Sequence, residues 1–126
     1  MVGIVLVSHS AALAEGVLDL TRMVASGCPV ALAGGADDGG YGTSYQKIRS
    51  AIESVHGQDG ALVITDMGSS VMTAEMVIED LGWQDVVLSD CPMVEGAVAA
   101  AISALCGDSL DTVAQQASEA RSIPKY

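Results

Sequence analysis

The chain has no phenylalanine, and one tryptophan and three tyrosines make up its whole aromatic content across 126 residues. A core without large rings must be filled by Ala, Val, Leu, Ile and Met, a composition that suits helices packed closely on a sheet. Aromatic cover for a flavin is scarce, with only Tyr41, Tyr45 and Trp83 as candidates, which tells against a flavodoxin-like electron carrier. The three cysteines, Cys28, Cys91 and Cys106, are odd in number and widely spaced, without a C-x-x-C pair. Neither a disulfide framework nor a zinc site is signalled, and they read as small core residues.

Cations are scarce as well: five Lys and Arg stand against sixteen Asp and Glu, for a formal net charge of −11. That balance argues against a nucleic-acid backbone or an anionic membrane as partner. It fits a basic partner protein, and equally a salt-rich cytoplasm or plain solubility. No apolar stretch approaches the ~20 residues needed to span a bilayer, and the N-terminus lacks the basic flank of a signal peptide. The expectation is a cytoplasmic protein. Its length suits one domain with a real core and is too short for two, so residues 1–126 are read as a single domain.

What is present is an alternation of strand and helix patterns. Val2 to Val7 is short, β-branched and nearly continuous, as in a strand buried on both faces of a parallel sheet. A first helix is predicted from about Ser10 to Ser26, with Leu13, Val17, Leu20 and Val24 on one apolar face and Gly27 as its end. A second strand, Pro29 to Ala33, gives way to a loop from Gly34 to Gly42 with too many glycines for regular structure. Thr43 or Ser44 then caps a helix burying Tyr45, Ile48, Ile52 and Val55.

Ala61 to Asp66 reads as the third strand, followed by Met67-Gly68-Ser69-Ser70 and a helix through Leu81. That helix carries Val71, Ala74, Ile78 and Leu81 on one side, while Met72, Met76 and Val77 broaden its apolar surface. Such a helix wants more cover than one sheet face provides, which predicts a twofold homodimer using this helix and the edge of the short fourth strand, Asp85 to Ser89. An alanine-rich helix capped by Asp90-Cys91-Pro92 runs to Cys106, Gly107 closes it, and a last helix begins near Ser109. The pattern specifies an α/β fold, a doubly wound four-stranded parallel sheet in the order 2-1-3-4 with helices on both faces.

That order makes the gap between strands 1 and 3 a switch point, where ligands bind at the carboxyl ends of the strands. His9 after strand 1, the glycine-rich loop after strand 2, and Asp66 with Gly68-Ser69-Ser70 after strand 3 all aim there. Asp66 can accept the proton of one imidazole nitrogen and leave the other as a nucleophile. Gly68-Ser69-Ser70 opens a helix whose free N–H groups hold an anion. A nucleophilic nitrogen facing an anion cradle suggests phosphoryl transfer through a phosphohistidine. Each group also has a plainer reading: helix capping for His9 and the Gly-Ser-Ser step, a strand-end turn for Asp66.

Val5-Leu6-Val7-Ser8-His9-Ser10, Leu13-Ala14-Glu15-Gly16-Val17, Gly42-Thr43-Ser44 and Asp66-Met67-Gly68-Ser69 together resemble the mannose-type enzyme IIA family of the bacterial phosphotransferase system. Within it they look most like the phosphotransfer subunits of phosphotransferase-dependent dihydroxyacetone kinases. The resemblance covers essentially the whole chain. It implies a homodimer in which His9 is phosphorylated by the phosphocarrier protein HPr, with Asp66 as its carboxylate partner and Thr43, Gly68, Ser69 and Ser70 around the phosphate. It also implies that the phosphoryl group passes to ADP, held with Mg in the nucleotide-binding kinase subunit, and that this chain binds no cofactor of its own.

Sugar-transporting members of that family usually carry glycine after the active histidine, where this chain has Ser10. The chain stops at Tyr126, so the fused HPr and enzyme I domains of some kinase phosphotransfer subunits are expected to be replaced by a separate HPr. No residue role is assigned to the Asp37-to-Tyr41 loop. Three rival readings stand beside the kinase subunit: the enzyme IIA component of a mannose-type sugar transporter, a receiver-like domain, and a noncatalytic binding module. A receiver would use Asp66 as phosphoacceptor but needs an acidic pair after strand 1 and a lysine near the last strand, where this chain offers Ser8-His9 and no strand lysine.

Overall fold

The computed structural model describes residues 1–126. Strands β1 (Gly3–Ser8), β2 (Val30–Gly34), β3 (Ala61–Thr65) and β4 (Val86–Ser89) alternate with helices α1 (Ala11–Ala25), α2 (Tyr45–Val55), α3 (Gly68–Leu81), α4 (Met93–Leu105) and α5 (Leu110–Glu119). A 3₁₀ turn at Ala120–Ser122 follows. The sheet order is β2-β1-β3-β4 and every pairing is parallel. The predicted α/β fold is therefore the observed one, with β1 and β2 each starting and ending one residue later, β3 ending one residue earlier and β4 starting one residue later than their sequence patterns suggested.

Alternation along the two central strands divides the core in two. Ile4, Leu6, Leu62 and Ile64 point to one face, where Val17 and Ala25 of α1, the alanines of α4, and Val113 and Ala117 of α5 cover them. Val5, Val7 and Val63 point to the other, beneath Ile48, Ala51 and Ile52 of α2 and Ala74 and Val77 of α3. Alanine dominates α4 because that helix lies close against both the sheet and α5, leaving no room for rings.

Two helix faces differ from their sequence reading. In α1 the buried positions are Ala14, Val17, Thr21 and Ala25, whereas Leu13, Leu20 and Val24 are partly exposed. The inward face thus carries small residues that let α1 sit tightly on the sheet, and residue size does not reveal that choice. Gly27 takes no left-handed conformation, since α1 ends on Ser26 in the right-handed region. In α3, Val77 is fully buried under the sheet, so only Met72 and Met76 widen its outer face.

One glycine sets a close approach that matters for the site. A Cβ on Gly34 would stand 2.7 Å from the Ala11 Cα, so the end of β2 presses directly on the first turn of α1. No helix is long and apolar enough to cross a membrane.

Candidate functional site

The parallel register sets Val7 beside Thr65 and Ser8 beside Gly34, so the residues that follow β1 and β3 emerge side by side at the carboxyl edge of the sheet. His9 leaves β1 there with both backbone groups engaged. Its N–H donates to Asp66 Oδ2 at 2.9 Å, and its carbonyl accepts from the Gly42 N–H at 3.0 Å. Ser10 then caps α1, its hydroxyl accepting from the Leu13 N–H at 3.2 Å. The imidazole is held by its frame rather than left on a loose tether.

The ring's Nδ1 lies 3.0 Å from Asp66 Oδ1, and the carboxylate side chain is 8% exposed. Around the carboxylate the Met67 N–H donates to Oδ1 at 2.8 Å, the Ser70 hydroxyl stands 2.9 Å from Oδ1, and the Ser8 hydroxyl donates to Oδ2 at 3.0 Å. Burial pushes the Asp66 carboxyl up, but hydrogen bonds from the His9 backbone and ring, Ser70 and Ser8 outweigh it and hold the group at about 2. An ionised Asp66 can only accept, so Nδ1 is the nitrogen that carries the proton in this contact, and in the neutral ring the lone pair is left on Nε2.

Nε2 faces the Ser69 hydroxyl. With Nδ1 protonated, Ser69 is the donor in that contact. Ser69 stands in the first turn of α3, whose earliest backbone bonds run from the Ser70 and Val71 N–H groups to the Met67 carbonyl. The N–H groups of Gly68 and Ser69 precede that ladder and, with the helix dipole, give a helix end able to take an anion beside Nε2.

The other predicted site residues take different places. Ser70 is fully buried; its hydroxyl also lies 2.6 Å from the Met67 carbonyl, so it braces Asp66 and the helix start. Thr43 shares a hydrogen bond with Thr73 at 3.1 Å, tying the loop after β2 to α3, while Ser44 is the residue that caps α2. In the loop between, Asp37 receives the Ser44 hydroxyl, and the Lys47 ammonium is bound by the carbonyls of Gly34 and Ala36 at 3.1 and 2.9 Å. Sequence reasoning gave no role to Ser8 or Thr73. For Ser8 a signal existed, a hydroxyl at the end of an otherwise apolar buried strand.

Beside the site runs an open groove of about 350 Å³ whose lining includes Asp66, Glu75 and Asp90. Gly68 lines it as well, so the groove opens onto the start of α3. His9 is not among its lining residues, and its side chain is 20% exposed.

A family model described as the PTS system fructose IIA component matches residues 3–114. The chain belongs to this enzyme IIA family. Among curated relatives of this enzyme IIA domain, the phosphoryl donor subunit DhaM of the PEP-dependent dihydroxyacetone kinase of Pantoea ananatis is 43% identical over 120 residues, which is 90% of this chain and 25% of that protein. The chain thus spans about a quarter of the length of the first curated relatives it matches. Shorter relatives align nearly end to end: the phosphotransferase subunit DhaM of the PTS-dependent dihydroxyacetone kinase of Lactococcus lactis is 32% identical, covering 90% of this chain and 91% of its own. A crystal structure of a protein of unknown function superposes with a TM-score of 0.79 at 29% identity, covering 93% of each chain.

Proposed function

We propose that this domain is a phosphohistidine carrier that accepts a phosphoryl group from HPr on His9 Nε2 and passes it to ADP bound in the nucleotide subunit of a dihydroxyacetone kinase. The observation that carries the reading is the line Asp66–His9–Ser69: a carboxylate fixing Nδ1–H, a free Nε2, and a hydroxyl and helix end in front of it. The names of several relatives, phosphoryl donor subunits of dihydroxyacetone kinases, support the direction of transfer.

In the first step the N–P bond of the donor's phosphohistidine breaks as the His9 Nε2–P bond forms. The Ser69 hydroxyl swings off Nε2 and donates to a phosphoryl oxygen, joined by the N–H groups of Gly68 and Ser69. Asp66 stays ionised and balances the positive ring. In the second step the Nε2–P bond breaks as an oxygen of the ADP β-phosphate takes the phosphorus, and His9 returns to its neutral Nδ1–H form. ADP and its Mg belong to the acceptor subunit. Thr43 supports this phosphate site at one remove, through Thr73.

Assembly as a twofold homodimer belongs to the same reading, with Met72 and Met76 exposed on α3 and β4 an unpaired edge of the sheet. The decisive experiment supplies labelled phosphoenolpyruvate, enzyme I and HPr. Label should appear on His9, survive incubation with free dihydroxyacetone or free ADP, and leave when the ADP-loaded kinase subunit is added. Transfer to a sugar permease domain without any kinase would place the chain among transporter components instead.

A further inference from the structure

We infer that Ser8 is a positioning residue for His9, acting through the Asp66 oxygen that the imidazole does not touch. This deepens the proposed phosphocarrier reading and rests on it for the transfer step alone. Ser8 is the last residue of β1 and is fully buried. A polar side chain in that place must be satisfied internally, and both of its hydrogen bonds are present.

The direction of those bonds follows from their partners. The backbone N–H of Ser10 can only donate, and it points at the Ser8 Oγ at 3.0 Å. The ionised Asp66 can only accept, and its Oδ2 lies 3.0 Å from the same atom. The Ser8 hydroxyl is therefore locked in a relay: Ser10 N–H to Ser8 Oγ, and Ser8 O–H to Asp66 Oδ2. One end of the relay is the cap of α1 and the other is the carboxylate that orients the imidazole.

The two Asp66 oxygens are thereby given separate tasks. Oδ1 faces the Nδ1 of His9 at 3.0 Å. Oδ2 receives the His9 backbone N–H at 2.9 Å and the Ser8 hydroxyl. With the His9 backbone N–H, the Ser8 hydroxyl holds Oδ2 against rotation of the carboxylate about its Cβ–Cγ bond, which keeps Oδ1 aimed at Nδ1. Without it, Oδ2 retains one donor, the His9 backbone N–H, the carboxylate is freer to turn Oδ1 away from Nδ1, and the Nε2–H form of the ring, which cannot attack phosphorus, becomes populated.

The test reads the tautomer directly. In wild-type protein, ring ¹⁵N shifts at neutral pH should show one Nδ1–H form of His9, and the Ser8 hydroxyl proton should be visible as a slowly exchanging resonance. In Ser8→Ala, with the remaining amide spectrum unchanged, a mixture of tautomers is expected. The maximal rate of phosphorylation should fall about tenfold, the scale of one hydrogen bond to a charged group, with half-saturation by the donor unaltered because Ser8 is buried away from it. Ser8→Thr, which keeps the hydroxyl, should restore the single tautomer.

A pure Nδ1–H ring in folded Ser8→Ala at full transfer rate overturns the inference. Should that variant fail to fold, the wild-type hydroxyl decides: a fast-exchanging or unobservable Ser8 proton counts against the relay. The tautomer measurements need no phosphoryl donor. Wild-type protein that takes no label would refute the carrier reading while leaving the Ser8 assignment to be judged on the ring alone.

Discussion

His9 Nδ1 and Asp66 Oδ1 meet at 3.0 Å across 57 positions of sequence, and the same carboxylate takes the His9 backbone N–H through its other oxygen. One side chain therefore fixes both the ring and the peptide that carries it. The arrangement depends on β1 and β3 being neighbours in register, which brings Asp66 in behind Val7 through a backbone bond of 3.2 Å.

Replacing His9 by Ala should leave a folded protein that takes no label from HPr. The second histidine, His56, sits at the other end of the sheet, its Nε2 2.8 Å from Asp85 and its ring stacked on Trp83 at a centroid distance of 4.2 Å. His56→Ala should therefore be phosphorylated at the wild-type rate. Acid-labile phosphate on the His9 variant, detected by intact mass before and after acid treatment, would defeat the assignment.

Asp66 also makes stability depend on pH. Its folded carboxyl sits at about 2 against an ordinary 3.8, a difference of about two units or ~2.5 kcal/mol. Because the folded value is the lower one, this contribution is complete above pH ~4 and drains away as pH falls toward 2. Urea unfolding midpoints should drop through that window in wild type and drop less in Asp66→Asn. That variant should also transfer phosphate more slowly by ~10²-fold or more, since an amide can stabilise the wrong ring tautomer.

Ser69→Ala removes a hydroxyl of an exposed residue that braces no part of the core, so the variant should keep wild-type stability. Phosphorylation of His9 should slow by about 10- to 100-fold for loss of one donor to the phosphoryl group. Stopped reactions followed by mass spectrometry give the rate. A wild-type rate would take Ser69 out of the transfer step.

Gly34→Ala tests the packing that seats the site. The added methyl would stand 2.7 Å from the Ala11 Cα and 3.2 Å from the Ala14 Cβ, and backbone on that side has little room to yield. A loss of ~1–3 kcal/mol is expected from overpacking, together with slower transfer as α1 shifts the His9 segment. Thermal unfolding at the wild-type midpoint would show that α1 moves freely there.

Assembly is tested by sedimentation. A dimer at micromolar concentration is expected, and charge introduced at the exposed α3 methionines, Met72→Glu with Met76→Glu, should shift it to monomer. Wild-type monomer at that concentration would remove the homodimer from the reading.

The alternation of strands and helices was legible in the amino-acid sequence because short apolar runs and the capping serines Ser10, Ser44 and Ser109 are local signals, and the order 2-1-3-4 followed as the usual arrangement of such a sheet. The start of α4 was less so, since Pro92 stands at its N-cap rather than inside its first turn. His9, Asp66 and the Gly68-Ser69 step were legible for the same reason: they sit where apolar runs stop. The inward face of α1 was not, because Ala14, Thr21 and Ala25 are buried for their small size against the sheet, and that depends on what lies opposite. Nor was the division of labour among the serines. Ser8, Ser69 and Ser70 are chemically alike in the chain, and only their positions in space make one a brace for Oδ2, one a donor to Nε2 and one a brace for Oδ1. Hydrophobic pattern is written along the chain, whereas the partner of a hydroxyl is set by which strands the fold makes neighbours.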